Sequence, residues 1–238
     1  MVLRRRMMVN PYVTSDIVAY WDGIDNTGNS HDGNASKWID KINGYEMLFQ
    51  NNSGRTWNDD NLQLSSGHRG LHTPSRYWST PEDCTIELVI EPAAVASKVV
   101  SMFDPNSTAS TMPSGTNARQ IEVFADNTIG FFASSHKTYT LPASVSDITK
   151  VKKISVIYHN YTVVHAYVNN IEISQGNNTH SYGQFGPNNF RLAEWTNTDN
   201  SNTAPFYGKI YAVRYYNRAL SSDELTQNYY YDMNRYNI

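Results

Sequence analysis

A tryptophan beside a run of polar residues provides this sequence with its first candidate binding site. Trp195 ends a predicted strand and opens the segment 196–203, in which every residue is Thr, Asn, Asp or Ser. An exposed indole can stack on the apolar face of a sugar ring, and nearby amide or carboxylate groups can pair with the sugar hydroxyls. Asn197, Asp199 and Asn200 offer those groups. We therefore predict that these four residues contact a glycan, with a core position for Trp195 as the alternative.

Other aromatic side chains are candidates for the same stacking role. We add Trp38 to the predicted ligand contacts, and Trp57, Tyr77 and Trp78 are further candidates. Each of them can equally be a core residue, because large aromatic side chains supply much of the apolar surface that a fold buries. Trp21 lies inside an apolar run and is assigned to the core.

The loop after the first predicted strand is rich in oxygen ligands. Asp22, Asp25 and Asp32 lie in it together with Asn26 and Asn29. Calcium takes carboxylate, amide and backbone carbonyl oxygens from flexible loops. We predict a calcium site with the three aspartates as ligands. The alternative is that these Asx residues cap turns, which their short polar side chains also do.

Nucleophilic and zinc chemistry lack the residue patterns that they need. The seven histidines are scattered, and no Gly-x-Ser-x-Gly elbow is present. His68 and His72 stand four apart, but in glycine-containing sequence rather than on a helix that would aim both at one ion. The single cysteine, Cys84, lies in an apolar run and is predicted to be a small core residue.

Composition indicates a β-rich domain without a nucleic-acid partner. The chain has 238 residues, a length that one large all-β domain can reach. Only 17% of the residues are charged and 17 are tyrosines, a composition that favours strands and polar loops. The net charge of −3 provides no basic face for phosphates.

The first sixteen residues are predicted to form an N-terminal arm ahead of a single domain, 17–238. The arm contains the basic run 4–6 and only a short apolar stretch after it. That stretch is too short for a secretory signal, and no segment approaches the ~20 apolar residues that span a bilayer. The arm is either a solvated terminus or a docking element for a larger particle.

Alternating or apolar runs of strand length recur along the chain, most of them separated by Gly, Pro, Asn, Asp or Ser clusters. They occupy residues 17–21, 45–50, 84–91, 98–103, 119–124, 129–133, 153–159, 162–168, 171–174, 190–195 and 206–216. This pattern predicts an all-β fold, a two-sheet antiparallel jelly-roll sandwich. The long polar loops 22–37, 104–117, 175–188 and 196–204 are where we expect a site.

The segment 154–174 predicts two consecutive hairpins. Residues 159–161 turn the first strand into the second, and Asn169 and Asn170 can adopt the positive φ angles of a tight two-residue turn. We expect this meander at the centre of a sheet.

The only predicted helix covers 221–236 at the C-terminal end. Ser221 and Glu224 form a capping box, and Leu225, Tyr229 and Met233 recur every fourth residue on one face. We expect the helix to pack against the sandwich through that face.

Three motifs resemble those of a known family. The run 208–225, with its Tyr-Asn-Arg-Ala-Leu, resembles the closing signature of laminin-G-like, concanavalin A-like domains, and 167–171 resembles the family's Tyr-Val-Asn-Gly turn. The segments 19–28 and 38–41 resemble the opening of versions found in phage and prophage structural proteins and in bacterial surface proteins. The resemblance implies a lectin-like sandwich and leaves the ligand open.

A catalytic interpretation rests on Glu87 and Glu91. The resemblance includes glycosidases that carry Glu-x-Asp-x-Glu on one strand, so that the acids share a cleft. Here Val89 replaces the central Asp, which weakens the separation of acid and nucleophile roles. We therefore expect no enzymatic activity and predict that these glutamates lie solvated on an outward strand face.

From these observations we predict a recognition or adhesion domain that binds a glycan or cell-surface polysaccharide. We expect it to be displayed on a phage particle or a bacterial surface. One alternative is a virion structural or decoration protein that contacts other virion subunits and no sugar. A second alternative is a divergent glycoside hydrolase.

Overall fold

Two antiparallel sheets face each other across a shared core. The computed structural model describes residues 11–74, 83–93, 97–102, 119–124, 126–133, 135–159, 162–175, 190–193 and 206–238. In chain order, the strands in these ranges are β1 (Ile17–Asp22), β2 (Lys37–Ile39), β3 (Glu46–Phe49), β4 (Arg55–Trp57), β5 (Leu62–Leu64), β6 (Leu71–His72), β7 (Cys84–Pro92), β8 (Ser97–Met102), β9 (Arg119–Val123), β10 (Thr128–Ala133), β11 (Ser135–Thr140), β12 (Lys153–His159), β13 (Thr162–Val168), β14 (Ile171–Gln175), β15 (Phe190–Leu192) and β16 (Gly208–Tyr216).

The strands form two sheets, sheet A and sheet B, each with its own strand order. Within the described ranges, sheet A has the order β14-β13-β12-β7-β16-β5-β4, with β1 also paired to β16. Sheet B has the order β11-β10-β9-β8-β15-β6-β3-β2. The predicted sandwich is therefore confirmed. The strands β2, β4, β5 and β6 were not predicted, because runs of two or three residues are too short to display alternation. The strand β11 was not predicted either, because its residues are mostly polar.

The core lies where the inward faces of the two sheets meet. Trp21 of β1 stacks on Phe190 of β15, with ring centroids 5.7 Å apart, and so joins sheet A to sheet B. Cys84 is buried in the same core as predicted. Because side chains alternate along a strand, the residue on each side of a core position faces outward.

The predicted hairpins form, but at the edge of sheet A. Asn169 and Asn170 both have positive φ, 48° and 65°, which confirms the predicted turn between β13 and β14. The turn between β12 and β13 contains residues 160 and 161, which lie outside the described residues. The prediction of a central position is wrong, because β7 and β16 occupy the middle of the sheet and β14 ends it.

The helix α1 (Ser222–Tyr236) packs on the outer face of sheet A. Ser221 is its N-cap, and the capping box with Glu224 is present as predicted. The predicted contact face is partly wrong, since the buried residues are Leu225, Asn228, Asp232 and Tyr236, whereas Tyr229 and Met233 are half-buried. Polar side chains take these buried positions because they bind charged groups of the sheet. No helix in the described ranges has the length and apolar character needed to cross a membrane.

The end of the predicted arm packs on the domain. The backbone N–H of Val13 donates to Asn228 Oδ1 at 2.7 Å, and the Tyr216 hydroxyl donates to the Val13 carbonyl at 3.0 Å. Residues 1–10 lie outside the described residues.

Candidate functional site

The loop after β1 brings two of the predicted calcium ligands together around side-chain cations. Asp22 is buried, and its carboxylate accepts hydrogen bonds from Lys41, Arg235 and the Tyr236 hydroxyl. Asp25 pairs with the same Lys41 and Arg235. Burial opposes the charged form of Asp25, but the hydrogen bond and charge of Lys41, with the charge of Arg235, outweigh it and lower the pKa of Asp25.

The third predicted ligand lies apart from this cluster. The Asp32 carboxylate accepts from the Asn34 backbone N–H at 2.8 Å, and the Asp32 backbone pairs with the side chain of Asn26. This is the turn-capping role that short polar side chains take in loops. In the described part of the chain, no group of three or more His, Cys, Asp or Glu side chains is placed to hold a metal ion. The structure thus assigns Asp22, Asp25 and Asp32 to ion pairs and a turn.

Trp38, one of the predicted glycan contacts, is a core residue. Its side chain is 0% exposed, its Nε1 donates to the Asp22 carbonyl at 3.0 Å, and its ring meets Trp57 edge-on at 5.2 Å. A fully enclosed indole has no face left for a sugar ring. The prediction for Trp38 is therefore wrong, and Trp57 is buried as well. The prediction that Trp21 belongs to the core is confirmed.

The other predicted glycan contacts stay predictions. Trp195, Asn197, Asp199 and Asn200 lie outside the described residues, as do Tyr77 and Trp78. The structure does place both ends of their segment, where the Phe206 backbone N–H donates to the Ala193 carbonyl at 3.4 Å.

Glu87 is enclosed beneath α1. It receives hydrogen bonds from Arg214 Nη1 at 3.2 Å and Asn228 Nδ2 at 2.7 Å, and Lys153 Nζ lies 2.7 Å from its carboxylate. Its side chain is completely buried. The prediction of a solvated glutamate is wrong for this residue, because the helix covers the face on which it lies. Glu87 is therefore closed to any substrate in solution.

Glu91 occupies the rim of the same face and remains partly exposed. It pairs with Lys152 at 2.8 Å and Lys209 at 3.0 Å. The hydrogen bond from Lys152 is the main cause of its lowered pKa, against some loss of solvation. The two glutamates thus occupy different environments, each neutralised by nearby cations.

Asp232 completes the buried cluster between α1 and sheet A. It accepts from Lys153 at 2.9 Å and from both terminal nitrogens of Arg214. Burial opposes its charged form, but the charges and hydrogen bonds of Arg214 and Lys153 outweigh burial and lower its pKa. Sequence reasoning missed this cluster. The sequence pattern that could have indicated it is the four-residue spacing of Asn228 and Asp232, which places both on the same helix face as Leu225 and Tyr236.

The outer face of sheet B differs from that of sheet A. Within the described ranges, no helix packs on it. Across this face the strand register aligns one residue from each of five strands: Leu48 pairs with His72, and His72 pairs with Arg191. Arg191 in turn pairs with Ser101, and Ser101 with Gln120. Because neighbouring strands lie about 4.8 Å apart, this row crosses about 19 Å of the sheet.

Charged side chains are enclosed on this outer face. Arg191 lies between the core residues Phe190 and Leu192, and Glu122 lies between Ile121 and Val123, so both point away from the core. Each is only 5% exposed. Sequence reasoning missed both residues. A charged residue between two apolar ones in a predicted strand is the signal that could have found them.

His72 lies next to Arg191 on the same face. Leu71 is buried in the core, so the imidazole of His72 faces outward and is half-buried. Its Nδ1 is enclosed and has no hydrogen-bond partner among the residues that the structure describes. Burial, and then the charge of Arg191, lower the pKa of His72. The ring is therefore neutral near pH 7.

The fold of this chain is shared with known proteins. A family model described as the concanavalin A-like lectin/glucanases superfamily matches residues 64–226, more than half of the chain. The chain belongs to this superfamily. The match includes the C-terminal signature and the 167–171 turn of this concanavalin A-like domain, and it begins after the N-terminal motifs. No curated protein sequence matches the chain.

Solved structures similar to this concanavalin A-like domain include sugar complexes. Trypanosoma rangeli sialidase in complex with sialic acid is 12% identical with a TM-score of 0.62, over 92% of this chain and 33% of the sialidase. Domain 4 of AbnA, a GH43 extracellular arabinanase from Geobacillus stearothermophilus, in complex with arabinotriose, is 15% identical with a TM-score of 0.60. That match covers 90% of this chain and 98% of domain 4. The chain spans about a third of the sialidase, and at such identities the likeness shows the fold alone.

Proposed function

We propose that this concanavalin A-like domain is a non-enzymatic carbohydrate-recognition domain and that the outer face of sheet B contacts the glycan. The observation that carries the proposal is the half-buried imidazole of His72 on that face, which lies beside Arg191 of the neighbouring strand. A sugar site needs a few fixed polar groups that pair with the sugar hydroxyls, on a surface that the sugar can cover. Side chains held by a rigid sheet meet that need better than side chains on loops.

The likeness to the arabinanase domain supports a sugar as the ligand class. The compared domain is in complex with arabinotriose, and the match covers nearly its whole length. Because fold and ligand are loosely tied, we use this likeness only to choose the first probes. The predicted contacts Trp195, Asn197, Asp199 and Asn200 remain part of the proposal as loop residues that could add a stacking surface.

The proposal of binding without catalysis rests on the surroundings of the candidate catalytic carboxyl groups. A retaining or inverting glycosidase needs two carboxyl groups flanking a bond that water can reach. Glu87 is buried and paired with cations, and Val89 stands where the resemblance would place an acid. A divergent glycoside hydrolase would need other acids than these.

The biological setting is also a proposal. The segments 19–28 and 38–41 resemble the openings of phage structural and bacterial surface proteins. We therefore propose display on a virion or a cell surface, where the domain would bind cell-surface polysaccharide. A decoration protein that contacts only other virion subunits is the alternative that a binding test separates.

The test is a glycan array followed by calorimetry with the oligosaccharides that bind. We expect binding by the wild-type domain, no cleavage of the bound oligosaccharide, and a loss of about tenfold in affinity for His72→Ala, because a hydrogen bond to the sugar is removed. His31→Ala is the control, since His31 is an exposed histidine outside the sheets.

Silence of the wild-type domain on the array at high protein concentration would contradict glycan binding and favour the decoration role. Equal losses in affinity for His72→Ala and His31→Ala would place the glycan elsewhere. Unfolding curves of both variants are needed, because His72 is half-buried and its replacement also changes stability.

A further inference from the structure

Arg55 of β4 is a half-buried cation that no acid neutralises. It forms no ion pair with any carboxylate that the structure describes, and burial lowers its pKa. By contrast, a carboxylate pairs with each of the cations Lys37, Lys41, Lys152, Lys153, Lys209, Arg214, Arg218 and Arg235. Taking a charge partly out of water without a counter-charge is costly, so Arg55 marks a candidate site.

The guanidinium of Arg55 is held in one place by neutral neighbours. Its central carbon lies 3.9 Å from the centroid of the Phe49 ring, over which it stacks. Its Nη1 donates to the Ala35 carbonyl at 2.9 Å, and its Nη2 donates to Asn52 Oδ1 at 2.9 Å. Trp57 donates to the same Ala35 carbonyl at 3.1 Å and meets Phe49 edge-on at 6.1 Å. The core therefore fixes the cation before a ligand arrives.

The guanidinium keeps hydrogen-bond donors for a ligand. It has five N–H groups, and the oxygens of Ala35 and Asn52 take two of them. The remaining N–H groups have no acceptor among the residues that the structure describes. A carboxylate can accept two parallel N–H bonds from one guanidinium, and it would supply the negative charge that Arg55 lacks.

The surroundings of Arg55 suit a sugar that carries such a carboxylate. Arg55 lies at the rim of the sandwich, where β4 of sheet A meets Phe49 of β3 in sheet B. Asn52 and Asn34 are exposed there and offer amide groups to sugar hydroxyls. The acid of the same loop, Asp32, accepts from the Asn34 backbone N–H and forms no ion pair with Arg55.

We propose that Arg55 binds the carboxylate of an acidic sugar, such as a uronic acid, at this rim. The proposal rests on the proposed function, and it adds a ligand class and one contact residue. The strand β3 links this contact with the outer face of sheet B, because Leu48 pairs with His72 there and the next residue, Phe49, lies under Arg55.

The carboxylate should make an acidic sugar bind better than a neutral sugar of the same shape. An ion pair at a partly buried position is stronger than one in open water, because less solvent screens the two charges. Dissolved salt weakens such a pair when part of it stays exposed. A methyl ester keeps the sugar units and removes the charge, so it isolates the contribution of the carboxylate.

The experiment is calorimetry near pH 7 with trigalacturonic acid, its methyl ester and a triglutamate peptide. We expect the acid to bind the wild-type domain about tenfold more tightly than the ester. This difference should shrink as the salt concentration rises. The peptide carries carboxylates without sugar hydroxyls, and we expect it to bind more weakly than the acidic sugar.

Three variants assign the preference to Arg55. Arg55→Gln should remove the preference for the acid and leave the affinity for the ester nearly unchanged. Arg55→Lys keeps the charge without the planar fork, and it should retain part of the preference. Arg69→Gln is the matched control and should retain all of it, since Arg69 is an exposed arginine of the neighbouring loop. Unfolding curves check that each variant folds.

Three results would overturn the inference while leaving glycan binding in place: equal affinities of the wild-type domain for acid and ester, a preference for the acid that survives in Arg55→Gln, or tighter binding of triglutamate than of the acidic sugar. The first and third use the wild-type domain alone, so they decide the matter even if Arg55→Gln fails to fold. Failure of every acidic and neutral saccharide to bind would overturn the proposed function and this inference with it.

Discussion

At the scale of residues, burial decides what the charged groups of this domain can do. Glu87 and Asp232 are ionisable and fully enclosed, yet each accepts hydrogen bonds from Arg214, and Lys153 lies close to both. Taking charges out of water is costly, and the cost is offset only where the partners and hydrogen bonds are complete. These acids therefore hold α1 on sheet A, and they are unavailable for chemistry.

Replacing Arg214 by Met should destabilise the domain by about 3–5 kcal/mol, because Glu87 and Asp232 would be left with Lys153 as their remaining cation. Arg235→Met is the matched control. It should cost less, since Asp22 keeps Lys41 and the Tyr236 hydroxyl. Urea unfolding followed by tryptophan fluorescence measures both losses. Equal losses in the free energy of unfolding would show that Arg214 and its buried cluster contribute no more to stability than Arg235 does.

At the scale of elements, local signals set the helix start and the hairpin turn. Ser221 and Glu224 satisfy each other's backbone N–H groups at the beginning of α1. Asn169 and Asn170 adopt the left-handed backbone between β13 and β14. Both features depend on residues a few positions apart, and for that reason they were readable in the sequence. The buried face of α1 was not, because its partners lie on distant strands.

The helix start should weaken in acid through Glu224. The hydrogen bond from Arg218, and then those from Ser221, lower the pKa of Glu224 from 4.5 to about 2, against some loss of solvation. The folded pKa lies below the unfolded value, so this contribution is complete above pH 4.5 and is lost as the pH falls toward 2.

Glu224→Gln should therefore cost about 0.5–1 kcal/mol at neutral pH, a modest value because the side chain is partly exposed. The difference between wild type and variant should shrink as the pH falls through that window. Thermal unfolding across a pH series measures it. A difference that stayed constant down to the acid end would mean that the carboxylate charge contributes nothing to the cap.

At the scale of the whole molecule, the outer faces of the two sheets differ in the residues and elements that lie on them. The outer face of sheet A is covered by α1 and its buried ion cluster. The outer face of sheet B carries His72, Arg191 and Glu122 without a described helix over them. Between them the aromatic core joins the sheets, with Trp21 stacked on Phe190.

Trp21→Ala should cost about 3–5 kcal/mol, since it removes a large side chain from the junction of both sheets and leaves a cavity. Tyr230→Ala is the control, because Tyr230 is 61% exposed and its removal should change stability by less than about 0.5 kcal/mol. Denaturant midpoints of the two variants give the comparison. A small loss for Trp21→Ala would mean that the sheets hold together through other contacts.

Alternating apolar residues, turn asparagines and a capping box were enough to determine that this chain is an all-β sandwich with a terminal helix. Those signals are local, since each depends on neighbours along the chain. Only the tertiary structure decided that Trp38 is enclosed, that Asp22 and Asp25 hold Lys41 and Arg235, and that Glu87 lies under α1. The physical reason is that burial and charge pairing depend on residues brought together from far along the chain, such as Glu87 and Asn228, 141 positions apart.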